Sequence, residues 1–246
     1  MPKTPWRQHL RAGLRWLAGV PDTPIATEPG RLAFPLTEAG SPLPVLYVSR
    51  YTDEMSHHIH RAKYGADWAT AMALARLTQS LPTAVPWDTL GTRLLPVPPD
   101  PERLRTRGFH LPALLAKGLG SHWQMAVLLG GLKKLRASPE QAKRSRQERQ
   151  AIDAGLFAAT RRLHRQRQAV VLVDDVMTTG ATLRAAAEAW QRSGGQILGA
   201  VVLAYVPAPD SPPQGPPGGP SQEASPAQRN KARWHSGLWE RTEGIR

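Results

Sequence analysis

The chain predicts an α/β fold built on a mainly parallel, twisted sheet flanked by helices. Three observations carry that expectation. Val170 to Val173 is a continuous apolar, β-branched-rich run, the composition of a strand covered on both faces. Arg93–Val97 and Gln196–Tyr205 are further apolar runs of strand length. Between such runs lie stretches with helical spacing of apolar residues, and alternation of this kind belongs to α/β architectures.

Taken in order, residues 21–44 are rich in Pro, Gly and Thr and read as irregular, with one short strand near Leu32–Pro35. Pro44–Tyr51 reads as a strand. Thr52–Arg61 and Asp67–Ser80 read as helices, the second carrying Ala71, Leu74, Ala75 and Leu77 on one side. Arg93–Val97 is a buried strand, Leu111–Leu119 a helix and Met125–Leu129 a strand. Pro139–Gln150 is polar and basic, with the character of a flexible loop or a frayed helix. Gly155–Ala159 is a short strand. Val170–Val173, the amphipathic stretch Leu183–Arg192 and the strand Gln196–Tyr205 complete the sheet pattern. No internal repeat is present.

The N-terminal stretch Lys3–Val20 places Trp6, Leu10, Leu14 and Leu17 at helical spacing among Arg7, Arg11 and Arg15. Its charges run through the segment instead of preceding an apolar block, so it does not read as a signal peptide. It reads as a docked amphipathic helix, or as a membrane-surface or nucleic-acid contact. Pro207–Pro226 is dominated by Pro, Gly, Ser and Gln, which predicts a disordered C-terminal tail.

Composition narrows the function classes. At 246 residues and 41% hydrophobic the chain can hold one sizeable core. No stretch approaches the roughly 20 apolar residues of a membrane span, so integral membrane association is not expected. With no cysteine, disulfides and thiolate metal sites are impossible, and a cytoplasmic location is expected. The formal charge of +13 points to a polyanionic partner, a nucleotide or a nucleic acid. Much of that charge lies between Lys133 and Arg167, which suits a solvated basic loop and a nucleic-acid face equally.

The densest chemistry is the string Val-Val-Leu-Val-Asp-Asp-Val-Met-Thr-Thr-Gly-Ala-Thr at residues 170–182. Asp174 and Asp175 are expected at a strand's carboxyl end, where ligands bind open α/β sheets. The short residues Thr178, Thr179, Gly180, Ala181 and Thr182 can turn their N–H groups onto an anion at the start of the next helix. Carboxylates repel phosphate but accept hydrogen bonds from sugar hydroxyls. A ligand with a phosphate at one end and a cis-diol nearby satisfies both halves, and ribose 5-phosphate is such a ligand.

Two further segments are candidates for the same site. Leu94–Asp100 ends a strand and is expected to enter a loop carrying Arg103, Arg105 and Arg107, then Gly108 and Phe109. Such a loop suits a multiply charged anion such as pyrophosphate, or it is a Pro-stiffened turn with solvent-facing arginines. Arg107 and Gly108 are its candidate contacts, since Pro98 and Pro99 have no N–H to give. Gln141, Arg149 and Phe157 frame a basic stretch with Lys143, Arg144 and Arg146. That stretch is either a lid that excludes water and stabilises a leaving group or an exposed loop.

The string 170–182 resembles the phosphoribosyl-pyrophosphate (PRPP) signature of type I phosphoribosyltransferases. With Lys63-Tyr64-Gly65, Pro96-Val97-Pro98, Arg103 through Phe109, Gln141 with Glu148-Arg149, and Gly155 with Phe157, the chain is similar to the competence-associated ComF/GntX branch over roughly Tyr51–Tyr205. The resemblance implies a type I phosphoribosyltransferase fold. It divides the chain into 1–50, an N-terminal helix with a hood or degenerate zinc-ribbon-like region; 51–206, the phosphoribosyltransferase-like domain; and 207–246, the tail. It implies that Asp174 and Asp175 hold the ribose hydroxyls, Thr178 to Thr182 the 5-phosphate, and the loop after Pro98 the pyrophosphate. Gln141 to Arg149 becomes the lid, with Arg149 alongside the doublet as catalytic. Mg2+ is implied as the companion of PRPP, bound with it and not by a protein metal site.

The resemblance implies either PRPP-dependent transfer to an acceptor or a non-catalytic sensor that binds a nucleotide, single-stranded DNA or a competence-machinery protein during DNA uptake. Three departures stand out. The cysteine ribbon is missing, and His57, His58 and His60 do not replace it. His110 and Ile152 stand at positions where the branch usually has Asn.

Overall fold

A computed structural model gives the architecture. It describes residues 25–36, 42–87, 91–135, 155–160 and 168–207, all within the compact unit Met1–Asp210. The expectations for the N-terminal amphipathic stretch, for Gln141, Arg149 and Ile152, and for the C-terminal tail lie outside the described residues.

Eight strands and five α-helices are described. In chain order they are β1 (Gly30–Phe34), β2 (Leu43–Arg50), α1 (Asp53–Tyr64), α2 (Trp68–Arg76), β3 (Arg93–Pro96), α3 (Pro101–Arg107), α4 (Leu111–Trp123), β4 (Ala126–Val127), β5 (Leu132–Lys134), β6 (Phe157–Ala159), β7 (Ala169–Met177), α5 (Ala181–Arg192) and β8 (Gln196–Tyr205). A short 3-10 turn, Leu77–Ser80, extends α2. Six strands form one sheet in the order β1-β2-β8-β7-β3-β4, while β5 and β6 form a separate antiparallel pair. Only β1 runs antiparallel in the large sheet. The α/β expectation therefore holds, with a mainly parallel sheet flanked by helices.

Sequence chemistry explains the helix ends that border the sheet's upper edge. Thr52 caps α1 through a hydrogen bond from the Met55 N–H (3.2 Å) and places Asp53 and Glu54 in the first turn. Asp67 caps α2, accepting from the Thr70 N–H at 3.0 Å. Asp100 caps α3 with Pro101 as its first residue, and Gly108 closes it in the left-handed region at φ 78°. Arg103, Arg105 and Arg107 thus stand on a seven-residue helix and not on the loop the sequence suggested. The reason is local: cap, N1 proline and C-terminal glycine act without any apolar stripe.

The sheet separates two cores. Val171 and Val173 of β7 pack with Met55, Ile59, Leu74, Leu111, Leu115 and their neighbours from α1, α2 and α4. Val170 and Leu172 pack on the other face with Leu183, Ala186 and Trp190 of α5. Alternation along the strand makes this division. All three valines and Leu172 are fully buried, so Leu172→Ala would cost about 2–5 kcal/mol. The alanine-rich inner face of α5 (Ala185, Ala186, Ala187 and Ala189) is buried against the sheet.

Candidate functional site

β3 pairs with β7 only as far as Pro96↔Val173, where the Val97 N–H still reaches the Val173 carbonyl at 2.9 Å. The chain then leaves for α3. β7 continues for four more residues, and its other neighbour β8 stays with it to Met177↔Tyr205. A notch therefore opens beside Asp174 and Asp175 where β3 has ended. This revises the expectation that the doublet ends its strand. Carboxylates are poor strand formers, yet pairing to β8 carries the strand through them.

Because side chains alternate, the two carboxylates leave opposite faces of β7. Asp175 shares the face of Val171 and Val173, on the side of α1 and α4. Its Oδ1 lies 2.6 Å from the Lys63 Nζ at the end of α1, and both side chains are largely covered (20% and 13% exposed). Asp174 shares the other face and is buried. Its Oδ1 accepts the Asp175 N–H at 2.8 Å. Burial, reinforced by the neighbouring Asp175 charge, pushes the Asp174 carboxyl well above the usual carboxylate range, to about 8, against the pull of Lys63 and Lys134. The Lys63 ammonium pairs with the Asp175 carboxylate and offsets its charge.

The turn that follows is open. Thr178, Thr179 and Thr182 are exposed, and Ala181 is half-buried at the first position of α5. Gly180 is the buried member, at φ 71°, and a Cβ there would overlap the Phe34 ring of β1. Phe34 in turn carries the Arg184 guanidinium 5.1 Å from its centroid. The Arg184 Nη2 donates to the Thr179 carbonyl at 3.1 Å. A ring beneath, a cation beside and a helix N-terminus behind hold this turn in shape, and the Thr179 hydroxyl accepts the Ala181 N–H at 3.4 Å within it.

On the β3 side, Arg107 is half-buried and its Nε donates to the Lys63 carbonyl at 2.6 Å. Arg103 and Arg105 are exposed. Asp100 lies 3.8 Å from the Lys134 Nζ. Capping N–H groups, Glu102's foremost among them, hold the Asp100 carboxyl below the usual range. His110 opens α4. Burial is the main reason its imidazole falls to about 4, outweighing a hydrogen bond to the Val97 backbone and the Asp175 charge. Its Nε2 is buried with no hydrogen-bond partner. Burial therefore disfavours the charged form of this ring.

The structure thus links Asp175 to Lys63 and the Lys63 backbone to Arg107, leaves Gly108 exposed at the end of α3, and keeps Thr178, Thr179, Gly180, Ala181 and Thr182 on one turn at the next helix. Lys63 appears in the sequence only as a landmark, and its ion pair joins residues too distant in the chain for spacing to reveal. Among the described residues no group of three acidic or histidine side chains could hold a metal ion. His57 and His58 on α1 pack ring to ring at 5.8 Å without forming such a group. Among the described residues no helix is long and apolar enough to cross a membrane.

Comparison with known families agrees with this geometry. The model of the phosphoribosyl transferase domain family matches residues 106–219. The match begins in the last turn of α3 and takes in the acidic doublet, the threonine-glycine turn, α5 and β8. It supports the type I phosphoribosyltransferase superfamily. No curated protein matches the chain significantly.

Proposed function

We propose that the protein binds PRPP, or a related ribose 5-phosphate ligand, and transfers its phosphoribosyl group to a nitrogenous acceptor. One observation carries this reading. Asp175 follows the point where β3 stops pairing with β7, is held by Lys63, whose carbonyl accepts from Arg107 at the end of α3, and is followed on its own strand by the exposed threonine-glycine turn at the N-terminus of α5. Sugar hydroxyls suit the carboxylate, the 5-phosphate suits the turn, and pyrophosphate suits the arginine side. Mg2+ would enter with PRPP as part of the substrate and would offset its pyrophosphate charge, since among the described residues no group of three ligands could hold it.

In transfer, the bond from the anomeric carbon to the pyrophosphate oxygen breaks and its electron pair leaves with pyrophosphate. The acceptor nitrogen forms the new bond and gives its proton to released pyrophosphate or to water. The protein's part is to orient the sugar and stabilise the leaving anion. Arg149 and the rest of the lid segment belong to this proposal on the resemblance alone. So does placement in the ComF/GntX branch, with a role in DNA uptake in the cytoplasm.

A second reading is a PRPP or nucleotide sensor without turnover, contacting single-stranded DNA or a competence partner. The half-buried His110 ring where the branch usually has Asn, together with the +13 charge, favours it. Incubation with PRPP, Mg2+ and a panel of bases separates the two. Acceptor-dependent pyrophosphate release establishes the transferase, whereas saturable binding without release establishes the sensor. Absence of PRPP binding defeats the transferase and leaves the sensor only a nucleotide as its ligand.

A further inference from the structure

The cations around the notch have unequal roles. Arg103 and Arg105 project into solvent, and Arg61 is engaged outside the notch by Asp67 at 2.8 Å. Lys134 sits at the edge, 3.8 Å from Asp100. Lys63 alone among these has its ammonium on the doublet itself, 2.6 Å from Asp175. Its backbone is pinned: the Lys63 carbonyl accepts from the Arg107 Nε, and α1 closes two residues later with the Gly65 N–H on the Arg61 carbonyl at 3.0 Å. The pivot is therefore fixed beside the guanidinium while a flexible four-carbon stem carries the charge.

That arrangement conflicts with the ligand-bound state. A ribose hydroxyl donating to Asp175 competes for the oxygen that the ammonium occupies. An ammonium kept on Asp175 presents little net charge to pyrophosphate. Both demands are met if the ammonium moves toward the Arg107 side, where its own carbonyl already lies. We propose that Lys63 is a partner-switching residue, neutralising Asp175 in the free protein and binding the pyrophosphate of the substrate once the ribose hydroxyls claim that carboxylate. This inference rests on the PRPP reading and assigns to it a residue on α1, outside both the acidic string and the arginine helix. It also explains why an acidic doublet sits where an anionic substrate must land: before binding, the doublet's charge is cancelled, and afterwards the same cation serves the anion.

The test compares two ligands that differ only in pyrophosphate. Dissociation constants for Mg-PRPP and for ribose 5-phosphate are measured by calorimetry on the full chain, for wild type, Lys63→Met and Lys63→Arg. Lys63→Met is expected to weaken PRPP at least about tenfold, the worth of one charge-assisted contact. It should leave ribose 5-phosphate unchanged or tighter, because Asp175 is freed. Lys63→Arg should recover most of the PRPP affinity. Retained ribose 5-phosphate binding also shows that the variant is folded. Equal losses for both ligands would mean that Lys63 merely holds Asp175 in place, and undiminished PRPP affinity in Lys63→Met would mean that it never meets pyrophosphate. Either result overturns the switch while leaving the PRPP reading intact. A wild-type protein that binds neither ligand defeats the PRPP reading itself and the switch with it.

Discussion

Asp174 and Asp175 are the same residue type, one peptide bond apart, yet the two faces of β7 make them chemically different. On the α5 side Asp174 is buried and its ionised form is disfavoured. On the α1 side Asp175 meets an ammonium and the mouth of a notch. Strand alternation does the sorting, and what is packed on each face decides the charge. This doublet is therefore one buried carboxyl and one ion-paired carboxylate, and not two equal groups. The sharpest way to break this comparison is to remove both. Asp174→Asn with Asp175→Asn deletes the charge-assisted acceptor at Asp175, worth about 1.5–3 kcal/mol, together with the buried carboxyl behind it. PRPP affinity should fall by about tenfold to a hundredfold. A calorimetric titration that leaves it unchanged in the double variant ends the site assignment.

The threonine-glycine turn offers the next largest effect, because it is held from the Asp174 side of the sheet's edge by Phe34. Gly180→Ala places a Cβ in the left-handed region, which costs about 1–2 kcal/mol. It also forces that Cβ into the Phe34 ring, at an overpacking cost of about 1–3 kcal/mol. The denaturation midpoint should drop accordingly, and ribose 5-phosphate binding should weaken with it. A variant of wild-type stability would show that Phe34 does not fix the turn.

A pH series sharpens the contrast between the faces. Asp174 has a folded value near 8 against an ordinary value of 3.8, so the native state keeps a proton that the unfolded chain releases. Its contribution to stability is full below 3.8 and is lost as pH rises toward 8. His110 is the mirror case, near 4 against 6.5. Its contribution is present above 6.5 and is lost as pH falls through 4. Between about pH 4 and 6.5 the two slopes oppose each other, each at most about 1.4 kcal/mol per pH unit. His110→Asn should therefore uncover stability that falls with pH across that window, and Asp174→Asn stability that rises with it. The same slope in both variants, read from urea midpoints, would refute the two charge states. Ligand binding that needs Asp174 ionised should also release a proton, visible as a buffer-dependent binding enthalpy.

The sequence makes some of this molecule plain and hides the rest for identifiable reasons. β8 lies where its apolar run predicts, from Gln196 to Tyr205, because a buried parallel strand is written in its own residues. Thr52 and Asp67, each the first residue of a predicted helix, serve as the caps of α1 and α2. The continuation of β7 through its acids was illegible, because the pairing partner that sustains it is β8, a separate segment. α3 was missed for the opposite reason. Its signals are entirely local, but a run of arginines without an apolar stripe reads as loop. The Lys63–Asp175 pair was beyond reach, since only the meeting of α1 with β7 in the folded sheet creates it.

The smallest expected effect lies on α3, where a helix replaces the imagined arginine loop. If Arg103, Arg105 and Arg107 sat on a flexible loop, all three would be able to turn toward an anion. A helix fixes their directions: Arg105 faces away, with Glu102 at 3.9 Å as its partner and both side chains more than two-thirds exposed, while Arg107 donates to the Lys63 carbonyl. Arg107→Ala should therefore lower PRPP affinity about tenfold, as loss of a partly buried charged donor does. Arg105→Ala should change it by less than about threefold, with a stability change inside ±0.5 kcal/mol, the range for solvated surface positions. Raising the salt concentration distinguishes a residual long-range effect of Arg105 from direct contact, since screening removes the former. Equal losses at both positions, persisting in high salt, would show that α3 unwinds to present its arginines together.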